Sequence, residues 1–194
     1  MPYLGLILPL AQVEMNHKGL SSQMTGTPRD FEFLYGEWMV QGTRRRAPLD
    51  GGEWETIEAV HRCWPVLNGL GNVGELVSDD GEPLYACLRY FDARYARWTL
   101  YSVSLADGIA MPPMHGGFAG GVGEFRCEDQ VEGRPVVIRD RWTGIGSGRP
   151  HWERALSVDG GRRWETCWMM DFERVYWPLE TGPAPEWMPA PAHG

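Results

Sequence analysis

Turn-forming residues recur about every ten positions along most of this chain, and nothing else in the sequence limits its fold so strongly. Between "LDGG", "DDGEP", "VEGR", "GIGSGRP" and "DGGRR" lie short runs rich in Trp, Tyr, Val, Ile and Thr. Such runs suit pleated strands, while the Asp-Gly and Gly-Gly steps supply the positive φ angles of tight hairpins. Strands are predicted at 38–45, 54–64, 73–78, 85–92, 98–104, 117–127, 135–143, 151–157 and 164–174. The glycines in 117–127 suggest bulges or a bent strand. "PRDFEFLYG" (28–36) carries one short helical turn, capped by Asp30 and stopped by Gly36, and 9–20 is a second, weaker helix candidate. Short strands at this spacing predict an antiparallel sandwich or an up-and-down barrel. "DGGEWET" (50–56) and "DGGRRWET" (159–166) are near copies, the same turn chemistry used twice.

"GLGNVG" (69–74) fits G-x-G-x-x-G, and Asp92 lies about twenty residues downstream, where a ribose ligand would be. A dinucleotide site also needs a helix directly after the glycines, whose N-terminus carries the pyrophosphate. Here "ELVSDDGEPLYACLRYFD" follows, with a turn after a few residues and then another strand. No helix fits, so the stretch reads as a turn that swings the chain from one strand into the next, with Asn72 fixing it.

The chain has 194 residues, 18 basic and 26 acidic, for a net charge of −8. Residues 1–27 read as a leader, 28–176 as the folded domain and 177–194 as a Pro-rich tail that Trp177 and Trp187 could dock. The acidic balance argues against nucleic acid, and Arg44, Arg45 and Arg46 read as a solvated strand end. Cys63, Cys87, Cys127 and Cys167 form no C-x-x-C pair and suit free thiols in a reducing compartment. The apolar start, "MPYLGLILPLAQ", lacks a basic flank and is too short to span a bilayer, so a cytoplasmic location is expected. Ten tryptophans call for a deep apolar interior or an aromatic-lined cavity.

"DFEFLYGEW" (30–38), "LNGLGNVGE" (67–75), "LRYFDARYARWTLY" (88–101), "GVGEFRCED" (121–129) and "HWERALSVDGGRRWETCWMMDFER" (151–174) together resemble an uncharacterised bacterial family of calycin-like (lipocalin-like) proteins, a domain of unknown function. The resemblance covers about residues 28–176 and rests on structural Trp and Gly positions. It implies an all-β, closed antiparallel barrel of about 8–10 strands with a short N-terminal helix and a central cavity. It also implies that a Trp opening the first strand, here Trp38, packs under an Arg from the last strand, here Arg174. "GEWMVQG" is similar to the haem-binding nitrobindin group, which uses a His near the C-terminal strand. "WETCWMMDFERV" has none, so neither haem nor any other cofactor is expected.

Within a barrel, polar residues on the inward face would form the site. Arg89, flanked by apolar residues in "CLRYFD", could hold a carboxylate or oxyanion, or point outward to a neighbouring Glu. Glu75 and Glu124 follow glycine-rich approaches and could act as acid or base in an apolar cavity, or form salt bridges to Arg89 or Arg141. Tyr101, in phase with Thr99 and Val103, could polarise a carbonyl or sit at the rim. Arg89, Glu75, Glu124 and Tyr101 are therefore the catalytic candidates. His61, Trp98, Arg141, Trp152, Trp168, Met114 and His115 are the ligand-binding ones. Trp54, Trp64, Trp142 and Trp164 join the expected core and cavity walls. The His spacings predict no metal site, and no Ser sits in a nucleophile elbow. The loop 106–117, "ADGIAMPPMHGG", could be a lid.

Two functions follow. One is binding of a small hydrophobic or aromatic molecule in the barrel, with no nucleic acid or membrane partner and a homodimer left open. The other is a cofactor-independent lyase, isomerase or cyclase acting on a small aromatic or polyketide-like substrate. Phenolic acid decarboxylases, which resemble this plan, use Arg, Tyr and Glu in a similar barrel.

Overall fold

The computed structural model describes residues 26–105 and 108–175. The helix candidate at 9–20, most of the expected leader and the Pro-rich tail lie outside the described residues. Ten antiparallel strands close into a barrel. They are β1 (Gly36–Arg45), β2 (Trp54–Val66), β3 (Gly71–Ser78), β4 (Pro83–Asp92), β5 (Arg97–Ser104), β6 (Met114–Ala119), β7 (Val122–Val131), β8 (Arg134–Thr143), β9 (His151–Ser157) and β10 (Glu165–Arg174). Each strand pairs with its sequence neighbours, and β1 with β10 completes the circle. Closure removes every free sheet edge.

Two local expectations change. The predicted strand 117–127 is a hairpin, β6 and β7, because Gly120 and Gly121 take φ of +58° and +78° and reverse the chain between them. The predicted helix at 28–36 contributes only the 3-10 turn Glu32–Leu34. Among the described residues no helix is long and apolar enough to cross a membrane, which says nothing of a barrel.

The 3-10 turn is nevertheless structural. It pushes Phe31 and Leu34 into one end of the barrel, where both are fully buried. Phe31 packs edge-on against Trp98 and Phe118, with ring centroids 4.9 Å apart in each case. Phe125, Trp142 and Phe172 extend this aromatic plug. Outside it, the Arg174 guanidinium lies 4.1 Å from the Trp38 ring centroid and donates to the carbonyls of Tyr35 (2.9 Å) and Phe33 (3.0 Å). Trp38 Nε1 donates to the Leu34 carbonyl at 2.8 Å. The expected Trp38–Arg174 contact is thus present, and it fastens the turn across the barrel floor.

The wall is least regular between β5 and β6, which share only the pairs Trp98–Gly116, Thr99–His115 and Leu100–Met114. Above them the stretch before β6 runs along β5, with a bridge from Ala110 to Val103 and a Met111 N–H bond to the Ser102 carbonyl. Residues 114–117 of the expected lid are strand, and 106–107 lie outside the described residues.

Candidate functional site

Side chains alternate along each strand, so each contributes one set of residues to the interior. The inward set includes His61 and Cys63 from β2, Asn72, Gly74 and Leu76 from β3, and Tyr85, Cys87 and Arg89 from β4. It continues with Leu100 and Ser102 from β5, Asp140 and Trp142 from β8, Trp152 and Arg154 from β9, and Trp168, Met170 and Phe172 from β10. Above the plug these residues, apart from Cys63, Asn72 and Arg154, line a chamber of about 50 Å³. A second cavity of about 1140 Å³ opens at the opposite end of the barrel, rimmed by Arg44, Arg45 and Arg46. The two abut at Leu76, Tyr85 and Trp168, which line both.

Two arginines reach the interior, and their surroundings differ. Arg154 faces Asp140 across the β8–β9 pair. Its Nε and Nη2 donate to the two Asp140 oxygens at 2.7 and 2.8 Å, a bidentate pair in a buried setting. Nη1 donates to Met111 Sδ at 3.1 Å and Nη2 to the Tyr85 hydroxyl at 3.4 Å. Burial works against the Arg154 charge, but Asp140 and Tyr85 outweigh it and raise its pKa. Burial likewise raises the Tyr85 phenol, although Arg154 opposes that shift. These groups form the partition between chamber and mouth.

Arg89 faces Asn72 across the β3–β4 pair, where Arg154 has an Asp. It is 7% exposed, and Nη1 donates to Asn72 Oδ1 at 3.0 Å. Its guanidinium carbon lies 5.3 Å from the Phe31 ring centroid. Among the described residues it forms no ion pair, and Arg89 Nε, Asn72 Nδ2 and His61 Nδ1 are buried without a hydrogen-bond partner. A Cβ at Gly74 would stand 2.6 Å from Arg89 Nη1 and 2.9 Å from His61 Nε2, so both groups converge on this glycine. The G-x-G-x-x-G stretch therefore runs from a 3-10 turn (Leu67–Gly69) into β3. There Asn72 holds Arg89 and Gly74 leaves space for it.

His61 lies fully inside, its ring edge-on to Phe172 at 5.6 Å. Burial, together with the Arg89 charge, pushes its pKa down to about 3, so the imidazole is neutral. Burial pushes the Cys63 and Cys167 thiols up to about 11, and Cys127 to about 12. At neutral pH these three are protonated and poor nucleophiles.

The chain matches no known family model and no curated protein.

The sequence candidates divide between the two faces of the wall. Arg89, His61, Trp152 and Trp168 meet in the chamber. Trp98 and Met114 are inward and buried, with Trp98 in the floor plug. Glu75, Glu124, Tyr101 and Arg141 belong to the outward sets of β3, β7, β5 and β8, so the cavity roles expected for them do not follow. Glu124 pairs with Arg126 at 2.6 Å, and Tyr101 is 45% exposed and stacked on Tyr90. His115 bonds Thr99 Oγ1 at 3.1 Å, away from the chamber. Trp54 packs under Arg45 and Trp164 beside Arg126 and Arg139 on the exterior, and Trp64 alternates outward with Arg62.

Tyr85, Asp140, Arg154 and Met111 were not among the candidates. Asp140 sits two residues from both Ile138 and Trp142, and Arg154 two from both Trp152 and Leu156. A charge in phase with apolar neighbours is the signal that could have found them, whereas Arg89 stood out by the apolar residues flanking it.

Proposed function

We propose that this barrel binds a small hydrophobic or aromatic molecule in its interior. The observation that carries the reading is the pairing of an apolar chamber with one open end. Trp142, Trp152, Trp168, Phe172, Leu100 and Met170 line the chamber, its floor is plugged, and its other end abuts the large mouth cavity. Ligand sites have this composition, mostly apolar walls with a few placed polar groups. The closed ten-strand antiparallel barrel and the Trp38–Arg174 fastening support a calycin-like assignment. Four free cysteines suit a reducing, cytoplasmic setting.

The test uses the neutral fluorophore N-phenyl-1-naphthylamine with the full chain. Saturable one-to-one binding is expected, with energy transfer from tryptophan and at least tenfold weaker binding in Leu76→Trp, which narrows the junction of the two cavities. Absence of saturable binding overturns the reading. Native mass spectrometry of the freshly purified protein adds the mass of any molecule carried through purification.

The Asp140–Arg154–Tyr85 group beside a solvent-connected cavity favours a second reading, the cofactor-independent lyase, isomerase or cyclase. On that reading Arg154 and Tyr85 take the charge-stabilising roles expected of other residues. Turnover of a small aromatic acid that is lost in Tyr85→Phe, with binding retained, would support it.

A further inference from the structure

We propose that the ligand is a monoanion, an organic acid whose carboxylate sits against Arg89 at the chamber floor while its apolar body extends towards the mouth. This rests on the cavity reading above and names the chemistry of its occupant.

The charges in and around the chamber set the sign. Asp140 lines it, but both its oxygens are taken by Arg154, so that pair is neutral as a unit. His61 is neutral. The cation of Arg89 remains, faced by an amide where Arg154 has a carboxylate. A buried charge without a counter-charge is costly, and one carboxylate removes that cost. The free hydrogen-bonding capacity agrees: Arg89 lines the chamber, and its Nε, a donor only, is buried without an acceptor. Carboxylate is an acceptor only, and its planar geometry matches a guanidinium.

Size agrees as well. The chamber, about 50 Å³, takes a head group and little more, since on the same measure a single water needs about 10–15 Å³. The body must lie past Leu76, Tyr85 and Trp168, where the wide cavity begins. The absence of a side chain at Gly74 is what lets Arg89 and His61 converge at the chamber wall. An Arg–Asn pair at this register position thus makes a receptor where an Arg–Asp pair makes a self-contained strut.

The experiment compares acids with their neutral counterparts on the full chain, by calorimetry and tryptophan fluorescence, in a buffer free of chloride and carboxylates. The probes are 4-phenylbutanoate with 4-phenylbutanamide, and decanoate with decan-1-ol. The acids should bind the wild type at least tenfold more tightly. Arg89→Met and Asn72→Asp should bring acid and neutral probe within about threefold of each other. Asn72→Asp gives Arg89 an internal partner like that of Arg154, so it tests the charge argument without removing the arginine. Equal binding of acid and neutral probe by the wild type overturns the inference while the cavity reading stands. A preference that survives in either folded variant, checked by circular dichroism, also overturns it. If no probe binds the wild type, the cavity reading falls and the inference with it.

Discussion

His61 makes the stability of the barrel depend on pH in a window that opens well above that of the carboxylates. In the unfolded chain its imidazole titrates near 6.5, whereas burial beside Arg89 holds it down to about 3 in the folded state. Between those values the unfolded chain binds a proton that the folded chain refuses. The contribution is present in full above pH 6.5 and is lost as pH falls towards 3. Its slope approaches about 1.4 kcal/mol per pH unit, so the loss at the bottom of the window is on the order of 5 kcal/mol. His61→Leu keeps an apolar side chain against Phe172 and does not titrate. Urea unfolding followed by tryptophan fluorescence at pH 7.5, 6.5, 5.5 and 4.5 gives the comparison. The wild type should lose stability relative to His61→Leu by about 1.4 kcal/mol for each unit below pH 6. Other carboxylates whose pKa is lowered by folding, such as Asp80 and Asp159, act equally on both proteins and cancel in the difference. Parallel stability curves down to pH 4.5 would refute the reasoning, since His61 would then be protonating freely inside the fold.

Asp140→Asn leaves Arg154 buried without its anion and should cost about 3–5 kcal/mol in urea unfolding, whereas Asp140→Leu combined with Arg154→Met should return to wild-type stability or above. Arg174→Ala removes the ring contact with Trp38 and two charge-assisted bonds to the floor turn, and should cost about 2–3 kcal/mol, read as a lower thermal midpoint. At pH 8 the raised pKa values leave Cys63 and Cys167 on the order of one part in a thousand ionised, and Cys127 less. Peptide mapping should find these three unmodified by iodoacetamide in the native protein and modified in urea, and prompt native modification of Cys63 or Cys167 would contradict their burial.

Strand content was written in local chemistry, which left a sandwich or a barrel open. Asp-Gly and Gly-Gly turns, β-branched and aromatic runs, and the lack of long helical periodicity act over a few residues, and the strand bounds they predict fall close to those observed. The hairpin at Gly120–Gly121 was hidden because two glycines inside an apolar run serve equally well as a bulge. For the same reason the helix at 28–36 shrank to one turn: Phe31 and Leu34 gain more by plugging the barrel floor than by continuing a helix.

Period-two alternation groups the residues that share a face, and the sequence by itself determined those groups correctly: His61 with Ala59 and Cys63, Tyr101 with Thr99 and Val103. It could not decide which group looks inward, because both faces of this wall carry apolar residues. On β5 the outward Thr99 is as deeply buried as its inward neighbours. Glu75, Glu124 and Tyr101 were therefore legible as polar residues among apolar ones but not as external. Only barrel closure assigned the faces, and only the strand register set Asn72 opposite Arg89 and Asp140 opposite Arg154. Those partners lie 17 and 14 positions apart in the chain. Their encounter depends on how β3 slides against β4, and β8 against β9, which no local pattern specifies. The charge of the site, one buried arginine with an anion and one without, is a property of that register alone.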